Sequence, residues 1–218
     1  MTVRLTMFCA TTAEGGLGRV FGDGAVSDRR RRELAAMTAT LPPYALALRG
    51  PSARCAQTAE ALAIAATPEH ALRDLDHGRW DGRTPEDIAA VDPHGLSVWL
   101  TDPDAAPHGG ETVRELCRRT AAWLDTLPAG TGRILAITEA SFIRAALVHA
   151  LSVPARSFAH LQVPPASTVT LTLRDGCWST RFDRLTVPRR RQTAEGVPTV
   201  AVPTTPTTRR RVCLTGRP

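Results

Sequence analysis

Apolar and polar positions alternate from Val3 to Phe8 and stop at the small residues Cys9-Ala10-Thr11-Thr12, the pattern of a strand that ends in a turn. Asp28 to Leu41 reads as a helix, closed by Pro42-Pro43, which cannot continue one. Tyr44 to Leu48 is a short apolar run, the pattern of a buried parallel strand. The alanine-rich stretch Ser52 to Ala66 predicts a helix. Pro85 to Val91 and His94 to Leu100 predict two short helices, each opened near a Pro or Asp-Pro signal. Glu111 to Leu127 predicts a long amphipathic helix with Val113, Leu116, Thr120, Trp123, Leu124 and Leu127 on one face. Arg133 to Thr138 reads as a strand and Ala140 to Leu151 as a helix. Val169–Leu173 and Trp178–Phe182 flank Arg174-Asp175-Gly176-Cys177, and Asp-Gly is a hairpin signal. Strands that alternate with helices predict a three-layer α/β/α sandwich with a mostly parallel sheet and an antiparallel hairpin at its end.

After Phe182 the periodicity fails. Residues 1–185 are expected to form the domain, and residues 186–218, an Arg/Pro/Thr-rich tail, to be disordered. The charge divides along the same line. All 27 basic residues are arginine, and residues 183–218 hold eight of them against two acids, which accounts for the whole net charge of +6. The body is neutral, so nucleic acid is expected as a partner only through the tail.

A length of 218 residues suits one domain with a sizeable core, and a hydrophobic share of 43% is that of a globular protein. No apolar stretch approaches bilayer-spanning length, and no charged region followed by a long apolar run opens the chain. A cytoplasmic protein without a membrane role is therefore expected. The five cysteines (Cys9, Cys55, Cys117, Cys177 and Cys213) are scattered and form no Cys-x-x-Cys pair. No metal and no cofactor are expected from them. His70, His94, His108, His149 and His160 show no metal-ligand spacing and are expected at the surface or at helix ends.

Five segments carry a further pattern. They are Arg4–Thr12, Arg49-Gly50-Pro51-Ser52-Ala53-Arg54-Cys55-Ala56-Gln57-Thr58-Ala59, Leu72-Arg73-Asp74-Leu75-Asp76-His77-Gly78-Arg79-Trp80-Asp81-Gly82, Gly109-Gly110-Glu111-Thr112, and Ile134-Leu135-Ala136-Ile137-Thr138-Glu139. In this order and spacing they resemble the motifs of the histidine phosphatase (phosphoglycerate mutase-like) superfamily, over roughly residues 3 to 182. The resemblance implies a phosphoglycerate mutase-like fold. It also implies a cationic phosphate pocket of two arginines and two histidines with a general acid nearby.

Carried over position by position, the resemblance puts Cys9 where the family has its first arginine and Ala10 where it has the nucleophilic histidine. Arg54 matches the second arginine. Asp74 matches the acid, shortened by one methylene. Glu139 stands where the second histidine would be. Arg144 matches a helix arginine read as structural. Arg54 and Thr11 are the candidate ligand-binding residues, for a small-molecule ligand. Alanine cannot accept a phosphoryl group, so the family's phosphatase and mutase chemistry is not expected, and a pseudoenzyme or binding protein is. The alternative is a repurposed hydrolase, lyase or isomerase that divides acid and base roles between Asp74 and Glu139, with Cys9 as a weaker nucleophile candidate and His77 as a substitute phosphoryl acceptor. An arginine left in a pocket without an anion is costly. A direct contact between Arg54 and Glu139 is therefore expected, with Asp74 as second choice.

Overall fold

The computed structural model describes residues 2–10, 20–22 and 24–184. They belong to a compact unit, Met1–Val187. The tail expected to be disordered lies outside the described residues, as does Thr11.

Six strands form one mixed sheet in the order β3-β2-β4-β1-β5-β6. They are β1 (Thr2–Cys9), β2 (Leu46–Arg49), β3 (Thr67–Pro68), β4 (Arg133–Thr138), β5 (Ser167–Arg174) and β6 (Cys177–Arg184). The pairs β1–β4, β2–β4 and β2–β3 are parallel; β1–β5 and β5–β6 are antiparallel. The expected mixed α/β architecture is the observed one. Period-two alternation divides the central strands between two cores. Val3, Leu5, Met7 and Cys9 of β1, with Ile134 and Ala136 of β4, enter one. Phe8, Ala10, Leu135 and Ile137 enter the other. The first core is completed by α5 (Val113–Asp125) and α6 (Ala140–Ala150), the second by α1 (Asp28–Met37) and α2 (Ala53–Ala61). Two further helices, α3 (Pro85–Val91) and α4 (Pro93–Thr101), pack on each other.

Several boundaries differ from the sequence expectation. The helix expected over 52–66 stops at Ala61, because Ala63 turns left-handed at φ 53°. Ala63 N–H then bonds to Glu60 O and Ile64 N–H to Ala59 O, closing the helix as a Schellman motif without the usual glycine. The helix expected from Glu111 begins at Val113, where Thr112 and Glu115 form a capping box. The strand expected at 44–48 is Leu46–Arg49. The hairpin strands run longer than expected, joined by Asp175 and Gly176 at φ 50° and 77°, as a type I′ turn requires.

Candidate functional site

The sheet register brings the candidate residues together. Cys9 pairs with Thr138 across β1 and β4, and Ala10 N–H donates to Thr138 O at 2.8 Å. Ala10 and Glu139 thus stand side by side, one residue beyond the carboxyl ends of two central strands. Gly50 N–H donates to Ile137 O, which fixes the end of β2 and the start of α2 beside them. Arg54 sits in the first turn of that helix. In open α/β sheets ligands bind in this crevice.

Arg54 and Glu139 are in direct contact there. Arg54 Nη1 donates to Glu139 Oε2 at 2.9 Å, and the two side chains are only 7% and 5% exposed. The contact expected from sequence is present. The rest of the guanidinium faces carbonyls: Nη2 donates to Gly22 O and Nε to Gly24 O. On the other carboxylate oxygen, Glu139 Oε1 accepts from Ser52 Oγ at 2.9 Å and from the Cys55 thiol at 3.6 Å. Ser52 also caps α2 by accepting from Cys55 N–H. The Glu139 carboxylate therefore sits beside the first turn of α2, among the Ser52, Arg54 and Cys55 side chains. Burial pushes the Glu139 carboxyl up from its ordinary value, the Asp74 charge adds to this, and Arg54 opposes it. Burial and then the Glu139 charge push the Cys55 thiol well up, so it is held as a thiol. Cys9 is buried, and its thiol donates to Ala10 O at 3.6 Å.

Asp74 takes different partners. Its Oδ1 accepts from Ser141 Oγ and from Leu75 N–H. The loop that carries it is clasped from behind by Arg119 of α5. That guanidinium donates to the carbonyls of Ala71, Arg73 and Asp74 and forms a two-pronged contact with Glu111 at 2.8 and 2.9 Å. Glu111 comes from the Gly-Gly-Glu segment, and the glycine before it has a steric reason. A Cβ on Gly110 would lie 2.2 Å from Asp76 O.

Cys9, Ala10, Arg54, Asp74 and Glu139 all line one cavity of about 500 Å³. Phe21, His77 and Trp99 form its aromatic wall, with Phe21 4.8 Å from His77 and 5.5 Å from Trp99, centre to centre. Two further arginines line it. Arg144, read as structural, reaches the cavity and also lies over the Phe158 ring at 5.7 Å. Arg156 lines it too. Its place was not legible, because it depends on how the segment after α6 faces the pocket.

His108 is a further correction. Expected at the surface, it is 1% exposed, packed against Trp80, with Trp99 and His77 nearby. Its Nδ1 accepts from Gly110 N–H, which leaves the proton on Nε2. Burial and the neighbouring His77 lower its pKa from 6.5 to about 4. The folded state therefore keeps His108 neutral while the unfolded chain takes up a proton. Stability is full above about pH 6.5 and falls as the pH drops towards 4, by up to about 1.4 kcal/mol per pH unit. Urea midpoints measured down this range are expected to fall more steeply for the native protein than for His108→Gln. Equal slopes would remove His108 as the cause.

Among the described residues no group of three His, Cys, Asp or Glu side chains is placed to hold a metal ion. No helix among them is long and apolar enough to cross a membrane. The family model for the histidine phosphatase superfamily (branch 1) matches residues 27–184. The match begins after the strand end at Cys9-Ala10. No curated protein matches the chain in sequence. Solved structures match it closely in fold. A mycobacterial glucosyl-3-phosphoglycerate phosphatase is 22% identical, with TM-score 0.71, over 84% of this chain and 98% of that one. A putative alpha-ribazole-5'-phosphate phosphatase from Escherichia coli is 17% identical, with TM-score 0.72, over 83% and 95%. A histidine-to-alanine mutant of a phosphoserine phosphatase from Entamoeba histolytica, in complex with phosphoserine, is 16% identical, with TM-score 0.68, over 83% and 96%. The family match covers every strand but the first and every helix of this fold, and the chain belongs to the histidine phosphatase superfamily.

Proposed function

We propose that this chain is a superfamily member without phosphatase or mutase turnover, a pseudoenzyme whose phosphate position is filled from within. One observation carries the reading: the Glu139 carboxylate lies 2.9 Å from Arg54 at the N-terminus of α2, beside Ala10. A phosphoryl acceptor is missing at Ala10, and an acid stands where the resemblance implies a second histidine. A phosphate entering here would meet Asp74 and Glu139. Each carboxylate costs about 4 kcal/mol at 4 Å and an effective dielectric near 20. The Arg54 contact returns about 1.5–3 kcal/mol, which alone does not offset them, and Arg144 and Arg156 on the same cavity add attraction that the two carboxylates oppose. Loss of a histidine need not end recognition: the alanine mutant of the Entamoeba phosphoserine phosphatase is in complex with phosphoserine. Here the opposing charge of Glu139 is the larger obstacle. Turnover of an aryl phosphate and of 3-phosphoglycerate is expected to stay at background. Turnover that survives both Glu139→Ala and Asp74→Ala would overturn the reading.

A second reading is favoured by the cavity. Its volume of about 500 Å³ suits a small molecule, and Asp74, Glu139 and Cys9 all face it. A Glu139 carboxyl pushed up by burial could hold a proton for a neighbouring acid–base partner. Hydrolysis, elimination or isomerisation of a ligand without a phosphate would then be the activity, with Asp74 and Glu139 in the two roles. A ligand that raises the melting temperature and is consumed by the native protein but not by Asp74→Asn would favour this reading over the first.

A further inference from the structure

A second concavity, of about 430 Å³, opens on the same sheet at the opposite end of its strands. Arg4 begins β1 and Arg133 begins β4, and the two are register partners. The distance along β1 from Arg4 to Ala10 is about 20 Å at roughly 3.3 Å per residue. On the same side of the sheet lie Thr6, Thr170 and Arg181, with Thr6 opposite Thr170 and Thr170 opposite Arg181. Tyr44, on the loop before β2, completes the wall.

Its chemistry is one-sided. The described lining residues include three arginines and a row of hydroxyls and no carboxylate. Two arginines as direct cross-strand neighbours repel each other. Neither Arg4 nor Arg133 has an ion pair among the described residues to offset that. The floor is polar and connected: Thr6 Oγ1 and Thr170 Oγ1 are 3.3 Å apart, and Tyr44 also hydrogen-bonds to Thr6. Towards the strand ends on this side, Phe8, Leu135 and Ile137 put apolar residues under α1 and α2. The chain's own tail does not suit the position, since residues 185–218 carry seven arginines and a single acid.

We propose that this concavity is a binding site for a small, multiply charged anion of the phosphate-ester class, separate from the strand-end cavity. The paired guanidiniums of Arg4 and Arg133 grip the charge, and the hydroxyls of Thr6, Thr170 and Tyr44 take the remaining oxygens. The volume is that of a small-molecule site rather than an extended groove. Such a site would tie ligand level to the protein without passing through the degenerate phosphate position.

The test uses the full chain and its single tyrosine. Fluorotyrosine incorporated at Tyr44 gives one fluorine resonance that reports on this concavity alone. Inorganic pyrophosphate is expected to shift it saturably, and Arg4→Gln/Arg133→Gln to weaken that binding by about a hundredfold or more, since two charge-assisted contacts are lost together. Both residues are exposed, so the double variant is expected to fold, and its unchanged melting temperature checks this. Citrate at matched ionic strength separates phosphate from carboxylate chemistry; equal binding would overturn the phosphate class. A short oligonucleotide or an acidic peptide that binds more tightly than pyrophosphate would overturn the small-molecule assignment. A resonance unmoved by pyrophosphate, or moved equally in the double variant, would overturn the site itself.

Discussion

The triple variant Cys9→Arg/Ala10→His/Glu139→His is expected to gain measurable phosphomonoesterase turnover, while Ala10→His alone stays at background. The single change supplies an acceptor and nothing that holds the phosphate beside it. Arg54 remains bound to Glu139 at 2.9 Å, and an incoming phosphate still meets that carboxylate and Asp74. Replacing Glu139 removes one negative charge and releases the guanidinium. Cys9→Arg adds a cation at the adjacent strand end. The three positions should act as a unit, so their effects should not add. Loss of a nucleophile in such a unit costs about a millionfold in rate, which leaves room for a large relative gain even from a poor enzyme. The measurement is turnover of an aryl phosphate by the single, double and triple variants. Substantial activity from Ala10→His alone would show that Glu139 does not block the site.

Glu139→Gln is the second large effect, and it has two parts. Stability should fall by about 3 kcal/mol, the lower end of the cost of breaking a buried ion pair. The carbonyls of Gly22 and Gly24 still face Arg54, which keeps the loss at that end. Phosphate affinity should rise, because a repelling charge has gone and an arginine has been freed. Phosphate should therefore recover part of the lost stability in the variant. The gain is read against the native protein at the same phosphate concentration, so that anion binding elsewhere cancels. A variant as stable as the native protein would remove the buried pair as a stabilising contact. A variant that phosphate does not help would remove the self-occupied pocket.

The parts of this structure that were legible in the sequence are those with local causes. Pro85–Val91 could be read because Thr84 and Asp87 form a capping box with proline at the first position. The final hairpin could be read because Asp175-Gly176 has few other uses. The Arg54–Glu139 contact was legible for another reason: a family-like spacing placed both residues, and a buried cation demands a partner. What could not be read depends on distant packing. Nothing near Ala63 signals a left-handed residue, so the alanine-rich helix was drawn too long. The burial of His108 depends on Trp80, Trp99 and Gly110, which only the folded chain assembles around it. Arg156 reaches the cavity for a similar reason.

The Arg119 clasp carries a consequence for how such a protein can change over generations. In a pocket whose walls are held by its ligand, losing the ligand would loosen the walls, and selection for stability would guard the catalytic residues. Here the carbonyls of Ala71, Arg73 and Asp74 are held by Arg119, which Glu111 anchors in turn. The backbone of the acid loop is braced by the protein itself. On the proposed reading, changes at Cys9 and Ala10 would leave this bracing in place, and the Glu139 carboxylate would settle the charge of Arg54. Under the proposed loss of turnover, this part of the architecture would persist without the reaction, because its bracing does not pass through a bound phosphate.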